Sequence, residues 1–77
     1  MARPMTSEEM TERFALNLRT VRKQVGLTQE ELADAADLHR TAISFLERAA
    51  REPRMWTVVV LARALKVQPA ELLDGIC

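Results

Sequence analysis

Arg40, Thr41, Ser44, Phe45 and Arg48 recur at intervals of three and four residues, the spacing that puts side chains on one face of a helix. Two guanidiniums, two hydroxyls and an aromatic ring on one outward face form a surface rich in donors with one apolar spot. Such a face suits the edges of base pairs: a guanidinium is bidentate to guanine, a hydroxyl can hydrogen-bond a base edge, and the threonine methyl or the ring can meet a thymine methyl. A solvated helix can look the same, so the rest of the chain has to decide. Catalysis is not indicated. His39 is the only histidine, and no nucleophile or carboxylate is spaced to work with it. One His and one Cys make no zinc site, and two glycines make no phosphate loop, so neither a metal nor a cofactor is expected.

The face needs a helix from about Arg40 to Ala49, with Ile43 and Leu46 pointing inward. Before it, Thr28 to Ala36 reads as a helix opened by a Thr28–Glu31 capping box behind Gly26, with Leu32, Ala33 and Ala36 as its apolar face. Asp37 and Leu38 form the turn, and His39 falls at the start of the next helix, where capping or a phosphate contact is its expected use. Two helices joined this way are a helix-turn-helix, whose second helix enters the major groove. A first helix runs from Thr6 or Ser7 to Val25, with Thr6 and Glu9 as a second capping box and Phe14, Leu18, Val21 and Val25 as the buried stripe. Arg13, Arg19, Arg22 and Lys23 take its other faces, most of them solvated. Pro53 ends the third helix by disfavouring helical geometry at Glu52. Met55 to Lys66 contains a Thr-Val-Val-Val-Leu run with strand propensity. It reads as a helix because Leu61-Ala-Arg-Ala-Leu65 continues it and a lone strand would have no partner. Gln68-Pro69 opens a last short helix that Gly75 can close. The expected fold is all-α with five helices, one domain over residues 1–77, and a flexible arm over about residues 1–6.

Seventy-seven residues with two Phe, one Trp and 48% hydrophobic content suit a small helical bundle of modest stability. Met55 to Ala62 is the longest uncharged apolar run and is too short to span a membrane. The first residues lack a secretory layout, and a single cysteine, Cys77, builds no disulfide framework, so a cytoplasmic protein is expected. Eleven basic residues balance eleven acidic ones, and bulk charge argues for no nucleic-acid partner. Distribution argues otherwise. Arg40, Arg48, Arg51 and Arg54 face only Glu47 and Glu52 between Leu38 and Arg54. That is enough cationic surface for a few phosphate contacts and a modest salt slope.

The fourth helix carries more apolar surface than one core face needs. Met55, Val58, Leu61, Ala62 and Leu65 form the expected inward stripe, which leaves Trp56, Val59 and Val60, with Leu73 and Ile76 from the last helix. A contiguous patch of this kind suits a two-fold dimer surface. The alternative is that Trp56 folds over the loop and the valines are core.

Three segments together resemble the lambda-repressor-like (Xre/Cro-type) helix-turn-helix family: Arg22 to Ala33, Leu38 to Arg48, and Leu61 to Leu73. Within it, the order Leu-His-Arg-Thr-x-Ile-Ser, then Glu-Arg, Arg and Pro is most similar to controller proteins of restriction–modification systems. The resemblance implies that Arg40 and Thr41 are the first base-contacting positions, and that Ser44 makes a phosphate or water-mediated contact. Phe45 stands where relatives often have a polar reader, either touching a thymine methyl or packing inside. Thr28 and Gln29 at a helix start, with His39, Arg48 and Arg51, are implied phosphate partners. Arg54 corresponds to an arginine that enters the minor groove or contacts backbone. Arg22 and Glu47 match a structural ion pair across helices, outside the DNA site. The family often has glycine where this chain has Ala49 and Lys66, and Ser or Thr where it has Arg54 as a cap.

The resulting expectation is a homodimeric, sequence-specific transcriptional regulator on double-stranded DNA, reading an inverted repeat. No small-molecule ligand is expected, because the chain has no room for a sensing domain. Repression would follow from blocking RNA polymerase; activation would need a further contact with it, through Glu30, Glu31 or Asp34. The competing reading is a protein-interaction module, an antitoxin or anti-repressor partner, that uses the apolar face of the fourth helix.

Overall fold

Five helices follow one another in the computed structural model, which describes residues 3–77: α1 Ser7–Val25, α2 Gln29–Ala36, α3 Arg40–Glu47, α4 Met55–Leu65 and α5 Pro69–Leu72. Both Thr capping boxes are present. The Thr6 hydroxyl accepts from Glu9 N–H at 3.1 Å and Glu9 accepts from Thr6 N–H at 2.9 Å; Thr28 and Glu31 repeat the exchange at 3.0 and 2.9 Å. Arg54 and His39 are the N-caps of α4 and α3 with no side-chain cap hydrogen bond. Residues 1 and 2 of the expected arm lie outside the described residues. From residue 3 onward the arm touches the domain: Arg3 pairs with Glu9 at 2.6 Å, and Met5 Sδ accepts from Cys77 N–H at 3.5 Å. The Arg3 guanidinium and the Thr6 amide hold the Glu9 carboxyl down at about 2.

Four helices end in the same way. After α1, α2, α3 and α4 the chain makes paired bonds back to the last turn: Leu27 to Arg22 with Gly26 to Lys23, Leu38 to Ala33 with Asp37 to Asp34, Ala50 to Phe45 with Ala49 to Leu46, and Val67 to Ala62 with Lys66 to Arg63. Each is a Schellman end, which needs a left-handed residue just past the helix, the first residue beyond α1, α2 and α4 and the second beyond α3. Gly26 supplies one, but Asp37, Ala49 and Lys66 adopt φ of 56, 57 and 60° without being glycine. The left-handed Ala49 also explains why α3 stops at Glu47 and not at Ala49 as the pattern suggested.

The core joins all five helices through Phe14, Leu18, Leu32, Ile43, Leu61, Leu65 and Leu72, each at most 2% exposed. Leu27, Leu38 and Val67, the residues following the left-handed positions of α1, α2 and α4, pack against it. Two expected stripe residues do not belong. Val25 is 44% exposed because it is the last residue of α1, and Leu27 takes its corner after the chain turns. Met55 is 83% exposed. It opens α4, and a helical Cβ points towards the N-terminus, so its side chain projects beyond the core. A polar pin was not foreseen: buried Asn17 donates from Nδ2 to the carbonyls of Leu72 and Asp74, at 3.0 and 2.8 Å, tying α1 to the end of α5. Arg13, expected on a solvated face, donates to Asp74 O at 3.2 Å and lies where a Cβ on Gly75 would fall, 2.7 Å from Nη2.

Candidate nucleic-acid interface

The outward face of α3 follows from what its inward face buries. Ile43 and Leu46 are 0% and 4% exposed, and Glu47 is 2% exposed. Arg40, Thr41 and Arg48 are exposed, with Ser44 and Phe45 half-buried between them. Arg40 and Thr41 lie in the first turn, the end that reaches base edges when such a helix docks. His39, exposed at the N-cap, keeps its ring free of any capping bond.

The orientation of α3 is fixed by Glu47. Its carboxylate accepts from Arg22 Nε at 2.6 Å and Nη2 at 3.0 Å, while Arg22 Nη1 donates to Leu27 O at 2.8 Å. The pair is nearly dry, with side chains 11% and 2% exposed. The hydrogen bond to Glu47 raises the Arg22 guanidinium above its ordinary value, against the opposing effect of burial. Gln29 joins this cluster by donating from Nε2 to Glu47 at 3.0 Å. Gln29 was expected to meet phosphate. With one amide hydrogen committed to Glu47, it has its second amide hydrogen and its backbone N–H at the start of α2 left for that contact. Thr28 Oγ accepts from Glu31 N–H and retains its own proton as a donor.

Within the stretch from Leu38 to Arg54, charge is more one-sided than the sequence count suggested. Glu47 is consumed inside by Arg22, so Arg40, Arg48, Arg51 and Arg54, all exposed, keep only Glu52 of its two acids, while Glu8 and Glu12 of α1 line the same hollow as Arg51. Phe45 stays out of the core cluster. Its ring lies under the Arg48 guanidinium at 5.1 Å and the Arg51 guanidinium at 4.8 Å. Arg48 Nε also donates to Ser44 Oγ and O at 3.2 and 3.3 Å. Ser44, Phe45, Arg48 and Arg51 are therefore one contacting group. Sequence spacing exposed the first three, but Arg51 joins across the left-handed turn at Ala49, where helical periodicity no longer applies.

Away from α3, part of the apolar surplus (Val59, Leu73 and Ile76) lines an open groove of about 520 Å³ between α1, α4 and α5, together with Met10, Phe14, Met55 and Val58; Trp56 and Val60 are not among its lining residues. Trp56 is 61% exposed, Val59 38% and Leu73 44%, so Trp56 does not fold over the loop. Val60 is half-buried, and Ile76 is half-buried against the core. Met10 and Met55 belong to this surface and were not anticipated there. Among the described residues, no helix is long and apolar enough to cross a membrane.

Residues 18–72 match the family model HTH_3, described as helix-turn-helix. The chain is 38% identical over 65 residues to the control protein C.SmaI of Serratia marcescens, covering 84% of this chain and 77% of that protein. It is 40% identical over 62 residues to the control protein C.BamHI of Bacillus amyloliquefaciens, covering 79% and 76%. The crystal structure of the restriction-modification controller protein C.AhdI from Aeromonas hydrophila superposes with a TM-score of 0.78 at 35% identity, covering 80% of this chain and 94% of that one.

Proposed function

Because the chain belongs to the helix-turn-helix family HTH_3, and is a DNA-binding regulator of that kind, we propose that it acts as a restriction–modification controller protein. In this reading it binds an inverted-repeat operator as a homodimer. The supporting observation is the exposure of Arg40 and Thr41 in the first turn of α3 while Ile43 and Leu46 are buried behind them. Arg40 takes a guanine through O6 and N7, and Thr41 reads the neighbouring pair. Thr28, Gln29, His39, Arg48 and Arg51 hold the backbone on either side, and Arg54 enters the minor groove or joins them on the backbone.

An inverted-repeat site calls for two copies. An eight-residue helix is about 12 Å long, one major groove wide. The next major groove on that side of the duplex lies about 34 Å away, so a second recognition helix must come from a second subunit. The patch of Trp56, Val59, Val60, Leu73 and Ile76 is the dimer seam. A cytoplasmic location follows from the DNA partner. RNA polymerase is excluded by the bound dimer or, for activation, touched through Glu30, Glu31 or Asp34.

Selection of binding sites from a random duplex pool tests the reading: a two-fold symmetric site with one-turn spacing is expected. Against that site, Arg40→Ala should relax preference at one base pair per half-site by about 1–3 kcal/mol. Equal loss for every sequence would remove Arg40 from the readers. The apolar groove also favours a second reading, a protein-interaction module such as an antitoxin or anti-repressor partner. Absence of binding to any duplex at low salt would select it.

A further inference from the structure

We propose that Phe45 is a positioning residue and not a base reader: its ring holds the Arg48 and Arg51 guanidiniums together as one phosphate clamp at the downstream end of α3. The inference rests on α3 being the DNA-facing helix. Both guanidinium carbons lie within 5.1 Å of the ring centroid, inside the range where a cation is attracted by the ring quadrupole. Arg48 is held a second time, through its Nε, by Ser44. Neither arginine pairs with a carboxylate among the described residues. Phe45 is half-buried yet outside the core, so the core does not account for its ring.

A ring that carries two cations offers the groove positive charge and not bare hydrocarbon, which disfavours the contact with a thymine methyl. Two like charges gathered on one ring repel each other, and an anion that both donate to relieves that repulsion. A phosphodiester oxygen is such an anion, and planar guanidiniums donate to it in pairs. Holding both side chains in advance removes rotamer freedom before binding, so less is lost when the backbone arrives.

The test compares the wild-type chain with Phe45→Leu and Phe45→Trp on two duplexes, the site selected from the random pool and a scrambled one, at about 50 and 200 mM salt. Phe45→Leu should weaken binding to both duplexes by the same factor, on the order of tenfold, and reduce the salt slope by up to about 1 per subunit. Phe45→Trp should restore both. A loss confined to one base pair with the slope intact, or no loss at all, overturns the proposal. Circular dichroism reports whether Phe45→Leu folds. If it does not, Arg48→Ala, Arg51→Ala and the double variant in the native background decide: a double loss smaller than the product of the single losses supports the clamp, and independent losses overturn it. Failure of the wild-type chain to bind any duplex would instead refute the DNA-facing reading of α3.

Discussion

Glu47 accepts two hydrogen bonds from Arg22 and one from Gln29, so a single carboxylate joins α3 to α1 and α2. Its burial sets the consequence of losing it. Glu47→Ala leaves the Arg22 charge in a nearly dry site, and breaking a buried pair from one side costs about 3–5 kcal/mol. A fall of that size in urea-unfolding stability is expected, a large share of what a small domain has. A loss under about 1 kcal/mol would mean that water reaches Arg22. Residue by residue, the chain was legible where type and spacing agree. Arg22 and Glu47 matched a known pair, and Arg40 and Thr41 stand exposed in the first turn of α3. Asn17 was not legible, since a lone amide beside Phe14 and Leu18 carries no signal until two carbonyls, one at the end of α5 and one just past it, come within reach. The Phe45–Arg51 contact was hidden for a related reason: it forms across a turn.

At the scale of elements, helix starts were written plainly and helix ends were not. Thr6 with Glu9 and Thr28 with Glu31 announce their helices by side-chain chemistry. The ends depend on backbone conformation, and three of the four Schellman ends place Asp, Ala or Lys where glycine would be easiest. Each such residue carries a left-handed penalty on the order of 1 kcal/mol, smallest for Asp. Lys66→Gly, remote from α3, should therefore raise the melting temperature, by about 4–8 °C if the full kilocalorie is recovered. The greater freedom of glycine in the unfolded chain reduces the gain. A lower melting temperature would show that the Lys66 side chain contributes more than its backbone loses. Val25 and Met55 illustrate the same limit: periodicity assigns a face, but a helix terminus can carry that face past the core.

For the whole molecule, zero net charge concealed a separation of charge, because Glu47 is withdrawn inside and the arginines remain at the edge. The exposed apolar surface was legible as a surplus on α4, although its extension to Met10 and Met55 appeared only when α1 and α4 were brought together. If Val59 lies in a two-fold seam, Val59→Asp places like charges across it. The chain should then sediment as a monomer, keep its helix content, and bind a two-half-site duplex no better than a single half-site. An unchanged sedimentation coefficient would place the seam elsewhere. Glu47 has one more consequence at this scale. If α3 reads DNA as proposed, α1, α2 and α3, bonded through one carboxylate, would dock as one block. A mismatch of curvature would then fall mainly on the nucleic acid, most cheaply at pliable pyrimidine–purine steps between the half-sites. Discrimination among operators would then arise partly from the stiffness of bases that no side chain touches.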